Sequence, residues 1–207
     1  MQTLAKLSLP FLTIAAVGTA AALWTSTPPA VAEIAADTGY KVDAVHSSVI
    51  FGVKHNSVAN FYGRFNKTSG NFNIDPADPS KSFIDVTIDT DSVDTANGGR
   101  DKHLKSGDFF SVTEFPAMTF KSKSFKKTGE GTYDVTGDIT LRGKTKEITV
   151  PITDTGRGKG MRGGEVAGLE AKFTINRADF GVSYGAGTGA LGDDVSIIYS
   201  AEGAKGS

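Results

Sequence analysis

The sequence predicts an all-β fold: eight antiparallel strands closed into a barrel, with one short helix. Three observations carry this. Apolar and polar residues alternate at period two in one segment after another, the signature of a strand with one buried face. Gly fills 25 of the 207 positions, against a usual share of about 7%, which favours turn-rich β structure. Only one stretch, Ser92 to Asp108, breaks the alternation.

In chain order, residues 1–32 read as a secretory leader. Lys6 supplies its positive end, Leu7 to Leu23 is apolar or small, and Ala30-Val31-Ala32 offers a cleavage site before Glu33. Cleavage nearer Ala20 or Ala22 is an alternative. So is an uncleaved anchor, although the run is short for a bilayer core of about 30 Å and contains Pro10 and Gly18. The mature chain, residues 33–207, then has 207 − 32 = 175 residues, enough for one domain with its own core. The leader and the absence of Cys suit the bacterial periplasm or exterior.

Eight alternating rows follow, led by Val45, Ser47, Val49, Phe51 and Val53. A second row runs Gly63, Phe65, Phe72, Ile74, with an interruption expected around Gly70. Ile84–Ile88, Met118–Ser122, Tyr133–Leu141, Ile148–Ile152, Leu169–Ile175 and Val195–Ala201 complete the set. Asp75-Pro76-Ala77-Asp78-Pro79 reads as a loop and Thr128–Gly131 as a hairpin turn. Asp154–Gly164, rich in Gly and basic residues, reads as a hairpin tip. The exceptional stretch predicts a helix around Arg100–Leu104, capped by Asn97, with Asp101 facing Lys105 at i,i+4.

Eight one-faced strands must hide those faces. A closed barrel does so and removes sheet edges; a β-sandwich is the alternative that the pattern leaves open. Gly63, Gly137 and Ala171 on the inward rows would leave space inside. The same composition excludes several functions. Lys+Arg 22 against Asp+Glu 23 gives −1, and loss of Lys6 makes it −2, too weak a field for nucleic acid. Without Cys there is no disulfide, thiolate metal site or cysteine nucleophile. No G-x-S-x-G elbow is present, and Gly185-Ala-Gly187-Thr-Gly189 lacks the Lys of a phosphate loop. The three His (His46, His55, His103) lack a metal-ligand spacing, so neither a metal nor a catalytic residue is assigned. His46 is expected on a strand, bonded to Asp43.

An ordered set of motifs narrows the reading. It comprises Asp43-Ala-Val-His46-Ser47 with Phe51 and His55, Gly63-Arg64-Phe65, Asp91-Ser92-Val93-Asp94-Thr95, Arg100-Asp101-Lys102-His103-Leu104 and Asp108-Phe109-Phe110. Phe115-Pro116, Gly137–Leu141, Gly143–Lys146, Ile175-Asn176-Arg177, Phe180-Gly181 and Gly192-Asp193 complete it. In these the chain resembles the YceI-like, lipid- or polyisoprenoid-binding family over about residues 40–202. The resemblance implies a lipocalin-like barrel that holds an isoprenoid or fatty-acid-like lipid, with no cofactor. No segment after the leader is long and apolar enough to span a membrane, so no stable membrane insertion is expected after cleavage, and a homodimer is left open.

On that reading the cavity is lined by Val49, Phe51, Val53, Phe65, Phe72, Phe120, Ile139, Phe173 and Ile197. In an up-and-down barrel, residues 56–60, 91–115, 142–146 and 177–192 all fall at one rim. His55 and Arg177 end two inward rows there, beside Arg100 and His103. These four are the candidates for a lipid head group, since an Arg fork matches phosphate or carboxylate. The structural alternative is that Arg177 pairs with Asp179 or Asp101 and locks the helix. Two other functions stay open: a small enzyme using His and Asp at the barrel mouth, and a filled barrel serving a structural or stress-related role.

Overall fold

A computed structural model describes residues 39–161 and 163–206; the expected leader and its cleavage site lie outside them. The strands are β1 (Tyr40–Val42), β2 (Ser48–His55), β3 (Ala59–Phe65), β4 (Thr68–Asn73), β5 (Phe83–Asp89), β6 (Val93–Asp94), β7 (Ala117–Gly129), β8 (Thr132–Leu141), β9 (Lys144–Lys159), β10 (Glu165–Asn176) and β11 (Leu191–Lys205). One α-helix, α1 (Gly98–Lys105), follows β6.

The eleven strands make eight staves. β1 and β2 form one, broken at Asp43–Ser47; β3 and β4 form another, broken at Asn66-Lys67; β5 and β6 form a third, broken by the 3-10 turn Thr90–Ser92. Each stave pairs antiparallel with the next along the chain. The ring closes because β11 pairs with β2 over Ser200↔Ser48 to Leu191↔His55 and with β1 over Gly203↔Val42 to Lys205↔Tyr40. The fold is therefore an eight-stranded, up-and-down antiparallel barrel with one helix, not a sandwich.

Local departures from the expected pattern have physical causes. Val45 is 84% exposed because its segment turns: Asp43 accepts from the Val45 amide at 2.8 Å and from the His46 ring at 2.9 Å. His46 thus bonds Asp43 as expected, but in a turn. The second row breaks at Asn66-Lys67, not at Gly70; Gly70 stays in β4 at φ +127, where a Cβ would strike the Asp85–Val86 backbone. Strands β9 and β10 continue to Lys159 and from Glu165, with a register shift at Gly168/Leu169, so part of the stretch expected as a tip is strand. The β8–β9 link is Arg142 (φ 51) and Gly143 (φ 69), the left-handed pair that suits a two-residue hairpin between twisted strands.

The helix starts as predicted, with Asn97 Oδ1 accepting from the Arg100 amide at 3.0 Å. Asp101, however, does not face Lys105. It accepts from the Thr95 amide at 2.9 Å and from the Thr95 hydroxyl, while Lys105 pairs with Asp91 at 3.0 Å. A backbone donor needs a partner, whereas an exposed i,i+4 pair contributes only a few tenths of a kcal/mol. The core is continuous along the barrel axis, from Tyr40, Phe72 and Tyr133 at one end to Phe65, Phe110 and Phe120 towards the helix.

Candidate functional site

The half of the barrel beneath α1 is hollow. Its cavity of about 610 Å³ falls within the size range of small-molecule sites, about 300–1,000 Å³. Val49, Phe51, Val53, Phe65, Phe120, Ile139, Phe173 and Ile197 all line it. Period-two alternation put these side chains on one face, and barrel closure turned that face inward.

Phe72 does not line the cavity. It is 1% exposed and stacks on Tyr40 with centroids 5.8 Å apart. A Cβ on Gly203 would come within 2.7 Å of its Cε1, so the ring reaches across to β11 and fills the end of the barrel. The space foreseen beside two inward glycines is also taken. Phe51 lies against Gly63, and Phe120 against Gly137. Both rings still border the cavity, which remains open beside them. Val86, Ile88, Met118, Leu141, Ile175 and Val195 line it too. They share the expected period; only the register of the 84–88 strand could not be fixed from the sequence, and Met118, Leu141, Ile175 and Val195 continue rows whose Phe120, Ile139, Phe173 and Ile197 were expected to line the cavity.

One hydroxyl reaches the deep apolar part. Tyr199, 6% exposed, sits 3.4 Å from Thr68 Oγ1, and burial pushes its phenol pKa up. It stays neutral at ordinary pH.

The four polar candidates, His55, Arg100, His103 and Arg177, all reach the cavity from the same rim, but they are not alike. Arg177 is 4% exposed, and all five of its N–H groups are engaged. Nε donates to Gly192 O (2.8 Å), Nη1 to Val182 O (2.9 Å) and Tyr184 O (2.8 Å), and Nη2 to Leu191 O (3.2 Å) and Asp193 Oδ1 (3.0 Å). No donor remains for a ligand. Arg177 instead clamps the 182–193 segment over the rim. Its salt bridge is to Asp193, not to Asp179 or Asp101; Asp179 pairs with Lys146 at 3.2 Å.

Arg100 is the opposite case. Nε and one Nη donate to Thr95 Oγ1 (2.8 Å) and Thr95 O (2.6 Å), and the guanidinium stands 4.2 Å over the Phe61 ring. The side chain is held in direction, yet three of its five donors carry no bond to the described residues. His103 Nε2 bonds Asp108 at 2.9 Å, and its ring meets Phe109 and Tyr184 edge-on at 5.0 and 4.8 Å. His55 is exposed at the end of β2.

Arg142 was not foreseen. Its guanidinium donates to Phe109 O (2.9 Å) and Gly181 O (3.1 Å), tying the helix-side loop to the 181–190 loop. The sequence signal was an Arg before Gly143 in the short link between two strand rows, a place usually given to Asn, Asp or Gly; in the structure it adopts φ 51. Outside the cavity, Asp43, His46 and Glu202 place three potential ligand atoms within 4.8 Å of one another. Among the described residues this is the one group that could hold a cation; the Asp43–His46 bond lowers the Asp43 pKa and raises that of His46.

A family model described as the YceI-like domain matches residues 40–203. A relative from Pseudomonas aeruginosa, named UPF0312 protein, is 39% identical over 195 residues, covering 93% of this chain and 97% of that one. The crystal structure of Burkholderia cenocepacia BcnA superposes with TM-score 0.71 at 27% identity, over 78% of this chain and 98% of that one. A domain from Saccharophagus degradans, described as polyisoprenoid-binding, has the same fold, with TM-score 0.64 at 16% identity over 82% and 99%.

Proposed function

The chain belongs to the YceI-like family, and on that premise we propose that it binds and carries a polyisoprenoid or similar long-chain amphiphile in the barrel cavity, and that it is a binding protein rather than an enzyme. One observation carries the reading. An almost wholly apolar cavity of about 610 Å³ opens at a rim where Arg100 offers uncommitted donors. That combination suits a molecule with an apolar chain and a polar end. The printed description of the S. degradans domain supports the ligand class through a shared fold. The cavity also counts against the filled-barrel alternative.

In this reading the chain sits in the well and the head group lies under α1. Arg100 and His103 face that head group, and Arg177 holds the rim in shape. The domain is the mature chain, residues 33–207. The leader-like residues 1–32 support an address in the bacterial periplasm or exterior, tested by locating the protein after osmotic release.

Native mass spectrometry of protein purified without detergent tests the binding. A bound species of lipid mass, lost on organic extraction, is expected. An empty protein that also fails to bind a fluorescent fatty-acid probe would end the reading. Replacing Arg100 by Met should weaken an anionic-headed lipid about tenfold, near 1.4 kcal/mol, and leave the corresponding alcohol unchanged.

A further inference from the structure

We infer that the cavity is a blind well whose depth measures the ligand chain, and that Phe72 is the residue that sets the length. The inference rests on the lipid-binding reading above and adds a chain-length limit to it.

The floor follows from the strand register. Phe72 stands opposite Ile84, and Tyr133 opposite Ile152. In each pair the second residue touches the cavity and the first does not. Phe72 and Tyr133 are each 1% exposed, and Val135 is 0%. Below this layer the barrel is filled, so the well has one way in, at the rim. Phe72 is the largest wholly apolar side chain of that layer. Its place across the barrel depends on Gly203, where any side chain would collide with it.

The volume then converts to a length. At about 30 Å³ per non-hydrogen atom, the liquid volume of a water, 610 Å³ corresponds to roughly 20 atoms, which is about four isoprene units. Longer chains can enter only by leaving the excess outside the rim, where no further apolar surface is buried. Affinity should therefore climb with each unit up to four and then level off. Replacing Phe72 by Ala removes six ring carbons from the floor, close to the five of one isoprene unit. The plateau should move from four units to five.

The test uses geraniol, farnesol, geranylgeraniol, a five-unit alcohol and the nine-unit solanesol, each displacing a fluorescent fatty-acid probe from the purified protein. In the wild type, affinity should rise at least about tenfold per unit to geranylgeraniol and then change by less than about threefold. In Phe72→Ala the five-unit chain should gain at least about tenfold over geranylgeraniol. Failure of every alcohol to bind the wild type overturns the lipid-binding reading itself. A steady rise through solanesol overturns the measured well and leaves lipid binding intact. If Phe72→Ala does not fold, Phe72→Leu replaces it, with a smaller gain for the five-unit chain. A plateau that stays at four units in the folded variant removes Phe72 from the role.

Discussion

The two ends of this barrel are built from the same strands and the same alternation, yet one is hollow and the other solid. Towards the helix, Phe51 and Phe120 pack against Gly63 and Gly137, and Phe65, Phe110, Phe173 and Met118 join Val, Ile and Leu in a wall that leaves the axis open. At the floor, Phe72, Tyr40 and Tyr133 bring three rings into one layer, and these suffice to close the bore. The hollow end compensates with polar ties. Arg177, Arg142 and Arg100 hold its loops through backbone carbonyls. The comparison teaches that an inward-facing Phe is no indicator of a cavity by itself; the other residues of its layer decide.

The strongest test of this contrast is a pair of truncations. Phe72→Ala at the solid end should cost about 3–5 kcal/mol, the usual range for a packed Phe. Phe51→Ala at the hollow end should cost less than half of that, because its ring already borders empty volume. Urea unfolding of both variants measures the difference, and equal losses would erase the distinction between the ends. Next in size, Arg177→Met should destabilise by about 2–4 kcal/mol, since it strands buried carbonyls. Its ligand affinity should fall less than its stability, and the reverse ranking would restore a direct role in head-group binding.

A smaller effect of opposite sign is expected at the floor. The Tyr133 hydroxyl is buried without a partner among the described residues, and a buried polar group left unpaired costs about 1–3 kcal/mol. Tyr133→Phe should therefore raise stability by about 1 kcal/mol; a loss would point to a bound water. The smallest effect concerns pH at the hollow end. Hydrogen bonds from the Ala96 amide, Asn66 and Arg64 hold the Asp94 carboxyl down at about 2. A pKa depressed in the folded state stabilises above the unfolded carboxylate value of about 3.9 and is lost as pH falls towards the folded one. Between pH 5 and 2 the wild-type melting temperature should fall more steeply than that of Asp94→Asn.

Most of the barrel could be read from the sequence, because each stave carries its own period and the ends of the rows show where it turns. Joining Gly63–Phe65 to Phe72–Ile74 as one interrupted row recovered the β3–β4 stave. Strand β1 escaped notice because three residues, Tyr40–Val42, hold too little pattern to separate from a loop. The rim was legible as a place, since strand parity brings His55 and Arg177 to one end. The division of labour there was not. Whether an Arg has spare donors depends on acceptors in a loop 14–16 residues away, here the Leu191 carbonyl and the Asp193 carboxylate, and no local pattern encodes that. Phe72 failed for a similar reason: what it meets, Gly203 and Tyr40, lies on strands at the two ends of the domain.

That last fact has a consequence in time. The seam that closes the ring joins Tyr40–Val42 to Gly203–Lys205, the first and last strand residues of the domain. A chain made from its amino end cannot complete this seam until the final strand exists. Until then β2 shows an unpaired edge, a template for the wrong neighbour. Closure across such a sequence separation is intrinsically slow, and the floor it completes contains the buried rings of Tyr40, Phe72 and Tyr133. The well therefore acquires its bottom last, and amides of β1 should be the final ones in the barrel to gain protection during refolding.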